Sequence, residues 1–414
     1  MGSLRTPERY PWVSNDSVIF CGSPFTCSFC CLVDCLVPEL VLIFCFTHKR
    51  KVTIKHPKSA LNRLIFQLCR LHYWYAMEMY RNMKGGYWVP RSRFVEVFML
   101  DSDRPISYPD DYYGLYVSFE HIEGQKNRLN LTKASAQDLT GGYILDNEHN
   151  KTRGPLKNET QFTLPRFGIT YILREPHNYL TIPMLDYIKG YMISFEDALF
   201  SSNFEDPTSG YRKYANVTSM IDYMLAEELQ KNNNDGYRGS QFLWKNAGGL
   251  LNFGPAWGLD DGFGTCCGFP AGNWQSANNF AIQPEGWMFA TCDNASNCVT
   301  DPLMGIEVWY RRAWKDPAFR TAVALREKEL RAGPWSDVNA AATLDNAVAY
   351  IHEAGLRTLK KWGPVDACPR EECETWPSYQ AEIDSAVGCV FFLFFSSVLP
   401  YACTFVFQLH DLNR

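Results

Sequence analysis

Arg93-Phe-Val-Glu-Val-Phe-Met-Leu100, a polar stretch from Asp101 to Asp111, and Tyr113-Gly-Leu-Tyr-Val-Ser-Phe-Glu120 together decide the fold class. In the first run Val95, Val97 and Met99 recur at every second position, the period of a β-strand. In the second, Leu115, Val117 and Phe119 alternate with Tyr116, Ser118 and Glu120. The stretch between them is polar and holds Pro105 and Pro109. It therefore reads as a turning loop, and the two strands read as antiparallel neighbours.

Further along, Gly141-Gly-Tyr-Ile-Leu145 opens another strand, and Ile169 to Leu173 reads as one more. The period then changes to that of a helix. Leu185, Ile188, Met192, Phe195 and Leu199 fall on one face, with Pro183 in the first turn. Ser219 is read as the cap of a second helix that buries Ile221, Met224, Leu225 and Leu229. That helix must stop at Asn232-Asn-Asn-Asp-Gly236, whose residues bond locally to backbone or accept positive φ. Gln241 to Lys245 and Leu250 to Phe253 follow as short strands. Helices are expected over Ile306 to Trp314, Pro317 to Ala332 and Leu344 to Trp362. Strands followed by helices, with no internal repeat, indicate an α+β fold with an antiparallel sheet and a mostly helical C-terminal part.

Composition sets the class. The 414 residues carry 40 Lys and Arg against 45 Asp and Glu, a net charge of −5, and 46% are hydrophobic. Enough apolar mass is present to offset ordering entropy, so the chain is neither disordered nor a polytopic membrane protein. The acidic balance argues against nucleic acid as a main partner.

The 15 cysteines are uneven. Six lie before residue 50 and include the pair Cys27 and Cys30, with no second pair or nearby histidines to complete a zinc set. Six more, Cys266, Cys267, Cys292, Cys298, Cys368 and Cys373, sit in Gly-, Asn- and Pro-rich sequence that suits disulfides. Asn-x-Ser/Thr triplets begin at Asn15, Asn130, Asn150, Asn158, Asn216 and Asn294. Cysteines and triplets together point to the secretory route, extracellular or membrane-anchored. No signal-peptide pattern occupies residues 1–20. Residues 386–409 carry no charge and are long enough to span a bilayer. The same run also reads as a tail removed before a lipid anchor is attached, or as a buried helix.

Two acidic clusters could carry chemistry. Asp235 lies on the polar turn, and Asp260 and Asp261 lie in the Gly-rich loop Trp257-Gly-Leu-Asp-Asp-Gly-Phe-Gly264. The strands between them can return both clusters to one sheet end. Phosphoryl transfer uses such a set: one Asp takes the proton of the attacking hydroxyl, and another Asp with an Asn holds Mg²⁺. Solvated turns have the same composition, so spacing alone leaves both readings open.

Several segments resemble the CotH kinase family of spore-coat CotH-like proteins. Tyr113 to Glu123 is similar to its "YGLY…E.I" segment, as is Gly141 to Leu145. Tyr191-Met-Ile-Ser-Phe-Glu196-Asp-Ala-Leu199 resembles its "Y…FE..L" helix. Ser219 to Leu229 with Asn233-Asn-Asp235 resembles its helix and N-x-D turn, and Gly254 to Gly264 its "GP.WD.D..FG" loop. The likeness runs from about Leu61 to Trp362.

The resemblance implies an atypical kinase-like fold that transfers the γ-phosphate of ATP, with Mg²⁺ or Mn²⁺, to Ser/Thr of a protein substrate. Under it Asp235 is the base, and Asn233 and Asp260 hold the metal, with Asn232 competing for the place of Asn233. Glu120 and Lys245 would order the nucleotide phosphates or a lysine, against readings as a strand cap and a solvated strand residue. Trp257 would wall the nucleotide or belong to the core.

The sequence departs from the family at Gly258, where the motif has its first Asp. A catalytically inactive, membrane-tethered surface binding protein of the same fold is therefore the alternative. Residues 1–50 resemble nothing in the family, and Lys51-Val-Thr-Ile-Lys55 reads as the remnant of a strand. The expected organisation is an unassigned Cys-rich segment at 1–50, a kinase-like domain at 51–363, a linker at 364–385, and the apolar segment at 386–409. Peptide mapping without reduction is expected to find the cysteines from Cys266 to Cys373 paired. Free thiols throughout would end the secretory reading.

Overall fold

The computed structural model describes residues 18–21, 40–45, 59–63, 70–100, 105–147, 159–232, 236–237, 239–259, 262–263, 287–290 and 305–362. A first sheet contains β1 (Val18–Cys21), β2 (Leu40–Cys45), β3 (Ser59–Arg63), β4 (Ser92–Leu100) and β5 (Tyr112–Glu120). Its spatial order is β1-β2-β4-β5-β3. The opening pair, β4 and β5, is antiparallel as the alternation predicts, with Phe94 opposite Val117 and Val95 opposite Tyr116.

Opposed residues share a face of a sheet, so the two alternating sets separate. Phe94, Leu115, Val117 and Phe119 join the main core. Val95, Val97 and Tyr116 form a smaller cluster with Met99 and Tyr113 on the other face. The expected antiparallel pairing holds for β4 with β5 and for β5 with β3, and this sheet becomes mixed where β1 runs parallel to β2 and β2 parallel to β4. Both parallel strands come from the segment set apart at 1–50. Lys51–Lys55, the six cysteines from Cys266 to Cys373 and the run 386–409 lie outside the described residues. Among those described, no helix is long and apolar enough to cross a membrane.

The second sheet is antiparallel throughout. It contains β6 (Tyr143–Asn147), β7 (Gln161–Thr163), β8 (Thr170–Glu175), β9 (Gln241–Lys245) and β10 (Leu251–Phe253), in the order β10-β9-β6-β8-β7. Helices among the described residues are α1 (Arg70–Asn82), α2 (Ile182–Phe200), α3 (Val217–Gln230), α4 (Glu307–Ala313), α5 (Pro317–Ala332) and α6 (Asp337–Trp362).

Helix α1 had no sequence expectation. Leu71, His72, Tyr73, Tyr75, Ala76, Met77, Met79 and Tyr80 are all buried, and the partly exposed residues Trp74, Glu78 and Arg81 fall on one narrow face. Helix α6 begins at Asp337 rather than Leu344, because its first turns are alanine-rich and the apolar stripe starts only later.

Helix α3 is the centre of the molecule. Its cap is Asn216, not Ser219: the Asn216 side chain accepts the Ser219 N–H, and the Ser219 hydroxyl donates to the Asn216 carbonyl. Eleven of its 14 residues are buried, so its polar groups must find partners inside the protein. Asp222 does so with Arg326 of α5, at 2.7 and 3.2 Å, and with the Tyr87 hydroxyl at 2.7 Å. Removing one member of such a pair leaves a buried charge and costs about 3–5 kcal/mol.

The first sheet is held by α6. The Leu115 N–H donates to Thr358 Oγ1 at 3.0 Å, and Arg357 makes a two-pronged pair with Glu96 at 2.8 and 2.9 Å. Asn216→Ala is expected to lower unfolding stability by about 0.5–2 kcal/mol through the lost cap, read as a shift in the urea midpoint at unchanged slope. No shift would mean that the cap does not set the start of α3.

Candidate active site

The residue after α3 turns the chain sharply. Lys231 is left-handed, with φ of 52°. The Gly236 N–H donates to the Asn232 carbonyl at 3.1 Å. The Gly236 carbonyl accepts the Tyr223 hydroxyl at 2.7 Å and Gln241 Nε2 at 3.3 Å. Glycine is required at 236 by close approach: a Cβ there would lie 2.5 Å from the Asn232 carbonyl oxygen and 2.8 Å from Glu227 Oε2.

The second acidic segment meets this turn directly. Asn232 Nδ2 donates to the Gly258 carbonyl at 3.1 Å, and the Phe263 N–H donates to the Gln230 carbonyl at 2.5 Å. The two bonds bind the loop holding Asp260 to the turn holding Asp235. Asn233, Asp235 and Asp260 themselves lie outside the described residues. Among the described residues no cluster of His, Cys, Asp and Glu could hold a metal. Gly258 has φ of 69°, a left-handed value that glycine adopts without the strain of a Cβ. Asn232 is fully buried, and with Nδ2 turned to Gly258 its Oδ1 has no hydrogen-bond partner.

Beside the loop lies a cavity of about 270 Å³ lined by His121, Ile122, Asp146, Arg174, Ser240, Phe242 and Trp257. Trp257 is half-buried: it lines the cavity and packs edge-on against Tyr73, Phe119 and Phe242. Asp146 on β6 is paired with Arg174 on β8 at 2.6 Å, and Arg174 also reaches Glu159 at 2.6 Å.

Glu120 and Lys245 are not joined by an ion pair. Glu120 accepts the Arg91 N–H at 3.0 Å and the Arg91 guanidinium at 2.5 Å. Burial pushes the Glu120 carboxyl up, but these Arg91 contacts outweigh it and hold the group below the ordinary carboxylate range. Lys245 is buried, with its ammonium donating to the Thr140 carbonyl and lying 4.7 Å over the Tyr191 ring. Burial lowers its pKa, and Asp138 offsets part of that. Strand alternation puts Lys245 on the face of β9 opposite Phe242, so it stands away from the cavity.

His121, Asp146, Arg174 and Ser240 had no sequence expectation. The only signal was an Asp directly after the Gly141 to Leu145 motif and an Arg directly after Leu173, which become neighbours only once β6 and β8 pair.

The arrangement is that of an α+β protein in which Gln230 and Asn232 are hydrogen-bonded to Phe263 and Gly258 beside an aromatic cavity. A model of the CotH kinase protein family matches residues 71–385, and the chain belongs to that family. A comparison with curated proteins found no match.

His121 lies 3.6 Å from Glu123. Partial burial depresses its pKa, Glu123 opposes this, and Arg128 and Arg174 add to the depression. NMR titration is expected to place its midpoint below the usual value of about 6.5, and Glu123→Gln to lower it further. The unfolded chain then binds the extra proton first, so this group's contribution to stability falls as pH drops below about 6.5. A midpoint at or above 6.5 would contradict the placement of His121 at the cavity.

Proposed function

We propose that the chain is an atypical protein kinase that phosphorylates Ser/Thr of secreted or surface proteins, with ATP and Mg²⁺ or Mn²⁺. The observation that carries this reading is the bond from Asn232 to the Gly258 carbonyl. It ties together the two segments whose acids the family motif assigns to catalysis. In this reading Asp235 accepts the proton of the acceptor hydroxyl, a step worth about 10²- to 10⁴-fold in rate.

Asn233 and Asp260 would hold the cation. Their amide and carboxylate oxygens suit a hard divalent ion. The buried Oδ1 of Asn232, without a hydrogen-bond partner among the described residues, is a further oxygen, consistent with a cation or ligand group there. When bound, ATP supplies the phosphoryl group and the cation offsets charge on the phosphates. The cavity walled by Trp257 and Phe242 has the flat apolar sides that a nucleobase prefers, with Arg174, Ser240 and His121 as polar contacts. Glu120 and Lys245 are engaged elsewhere and are given no role at the nucleotide.

Phosphate transfer from radiolabelled ATP, with Mg²⁺ or Mn²⁺, tests the reading. Wild type is expected to incorporate label and to melt higher with ATP and metal present. Asp235→Asn is expected to lose about 10²- to 10⁴-fold in kcat, and Asp260→Ala to lose the metal-dependent rise in melting temperature. Neither incorporation nor a nucleotide-dependent rise in wild type would overturn the kinase reading. It would leave the non-catalytic binding protein that Gly258 raised as the alternative.

A further inference from the structure

The most heavily engaged side chain near the site is one that the proposed chemistry does not use. Glu228 sits near the end of α3, is 6% exposed, and collects donors from three directions. Lys231 Nζ donates to its Oε2 at 3.2 Å. The Tyr237 hydroxyl donates to Oε1 at 3.0 Å. The backbone N–H groups of Met288 and Phe289 donate to Oε2 and Oε1 at 2.7 and 3.2 Å.

The sequence positions of these donors carry the argument. Lys231 immediately precedes the acidic turn, and Tyr237 follows Asp235 by two residues. A single carboxylate therefore grips the turn at both ends. The other two donors belong to a short 3₁₀ turn, Met288–Ala290, that lies about 50 residues further along the chain and packs against α4. Hydrogen bonds to a charged acceptor are shorter and stronger than neutral ones, and more so inside a protein. The Tyr237 hydroxyl is buried, which with the Glu228 charge beside it holds its pKa far above the usual phenol value. It thus remains a donor at any working pH. The Tyr237 carbonyl in turn accepts the Ile306 N–H at 2.7 Å, which extends the clamp to the start of α4.

We propose that Glu228 is a positioning residue: it ties Lys231 and Tyr237, which flank Asp235 in the sequence, to the 288–290 turn. This rests on the reading of Asp235 as the base, because a clamp on a solvated turn would have no consequence for transfer. Glu228 touches neither substrate nor nucleotide.

The test compares wild type, Glu228→Gln and Tyr237→Phe in phosphate transfer, and follows amide hydrogen exchange by peptide. Both variants are expected to lose kcat, Glu228→Gln by tenfold or more and Tyr237→Phe by less, with KM for ATP within twofold of wild type. Exchange is expected to quicken over 231–240 and 287–290 and to stay unchanged in β4 and β5. Tyr237→Phe keeps the carboxylate and three of its four donors, so it carries the test if Glu228→Gln does not fold. Unchanged kcat in a folded variant overturns the inference. So does exchange that quickens everywhere at once, the mark of a merely structural role. An inactive wild type defeats the kinase reading instead, and the exchange data then still report whether the clamp exists.

Discussion

The described core of this protein is arranged around a helix that solvent scarcely reaches. Helix α3 is packed by α1, α5 and β10, and its buried residues include Asp222, Glu227 and Glu228. A buried carboxylate without a partner costs several kcal/mol. Each acid therefore dictates a neighbour: Arg326 for Asp222, Gln230 for Glu227, and the Lys231, Tyr237, Met288 and Phe289 donors for Glu228. The acids of α3 are thus the organisers of the fold, and the turn that leaves the helix inherits its direction from them.

The same constraint explains how two distant acidic segments meet. Gly236 is held close to Asn232 and Glu227, and its carbonyl holds two donors. Strands β9 and β10 then carry the chain out and back as an antiparallel pair, with Leu251 opposite Lys245. The loop that follows returns to Asn232. The hairpin is what converts a separation in sequence into a contact. The cavity beside it is a by-product of the same pairing, since β6, β8 and β9 bring Asp146, Arg174 and Phe242 to one side of the second sheet.

Much of the fold was legible where one face of an element is buried. Strands β4 and β5 alternate, and α2 shows Ile188, Met192, Phe195 and Leu199 as a stripe, because period-2 and period-3.6 burial leave a written pattern. Helix α1 was not expected: its buried face is wide and includes His72, Tyr73, Tyr75 and Tyr80, polar-tipped residues that blur the stripe. The cap of α3 was misplaced because Ser219 and Asn216 are both competent caps, and only the helix's actual first turn chooses between them. The site was legible in its acids and not in its surroundings. Lys245 read either as a group ordering nucleotide phosphates or as a solvated strand residue; its ammonium donates to the carbonyl of Thr140 and lies over the ring of Tyr191, and neither neighbour is near it in sequence.

The sequence by itself determined the class of fold, the family and the acids that could do chemistry, because those depend on residue type, local period and ordered motifs. Tertiary structure alone decided which side chains stand together. Glu120 went to Arg91, Lys245 to a buried aromatic seat, and Arg174 to Asp146 beside Trp257. Partner choice among charged groups is settled by burial and strand register, and these arise only when distant segments pack. A lysine or glutamate carries no mark of which neighbour will replace its water.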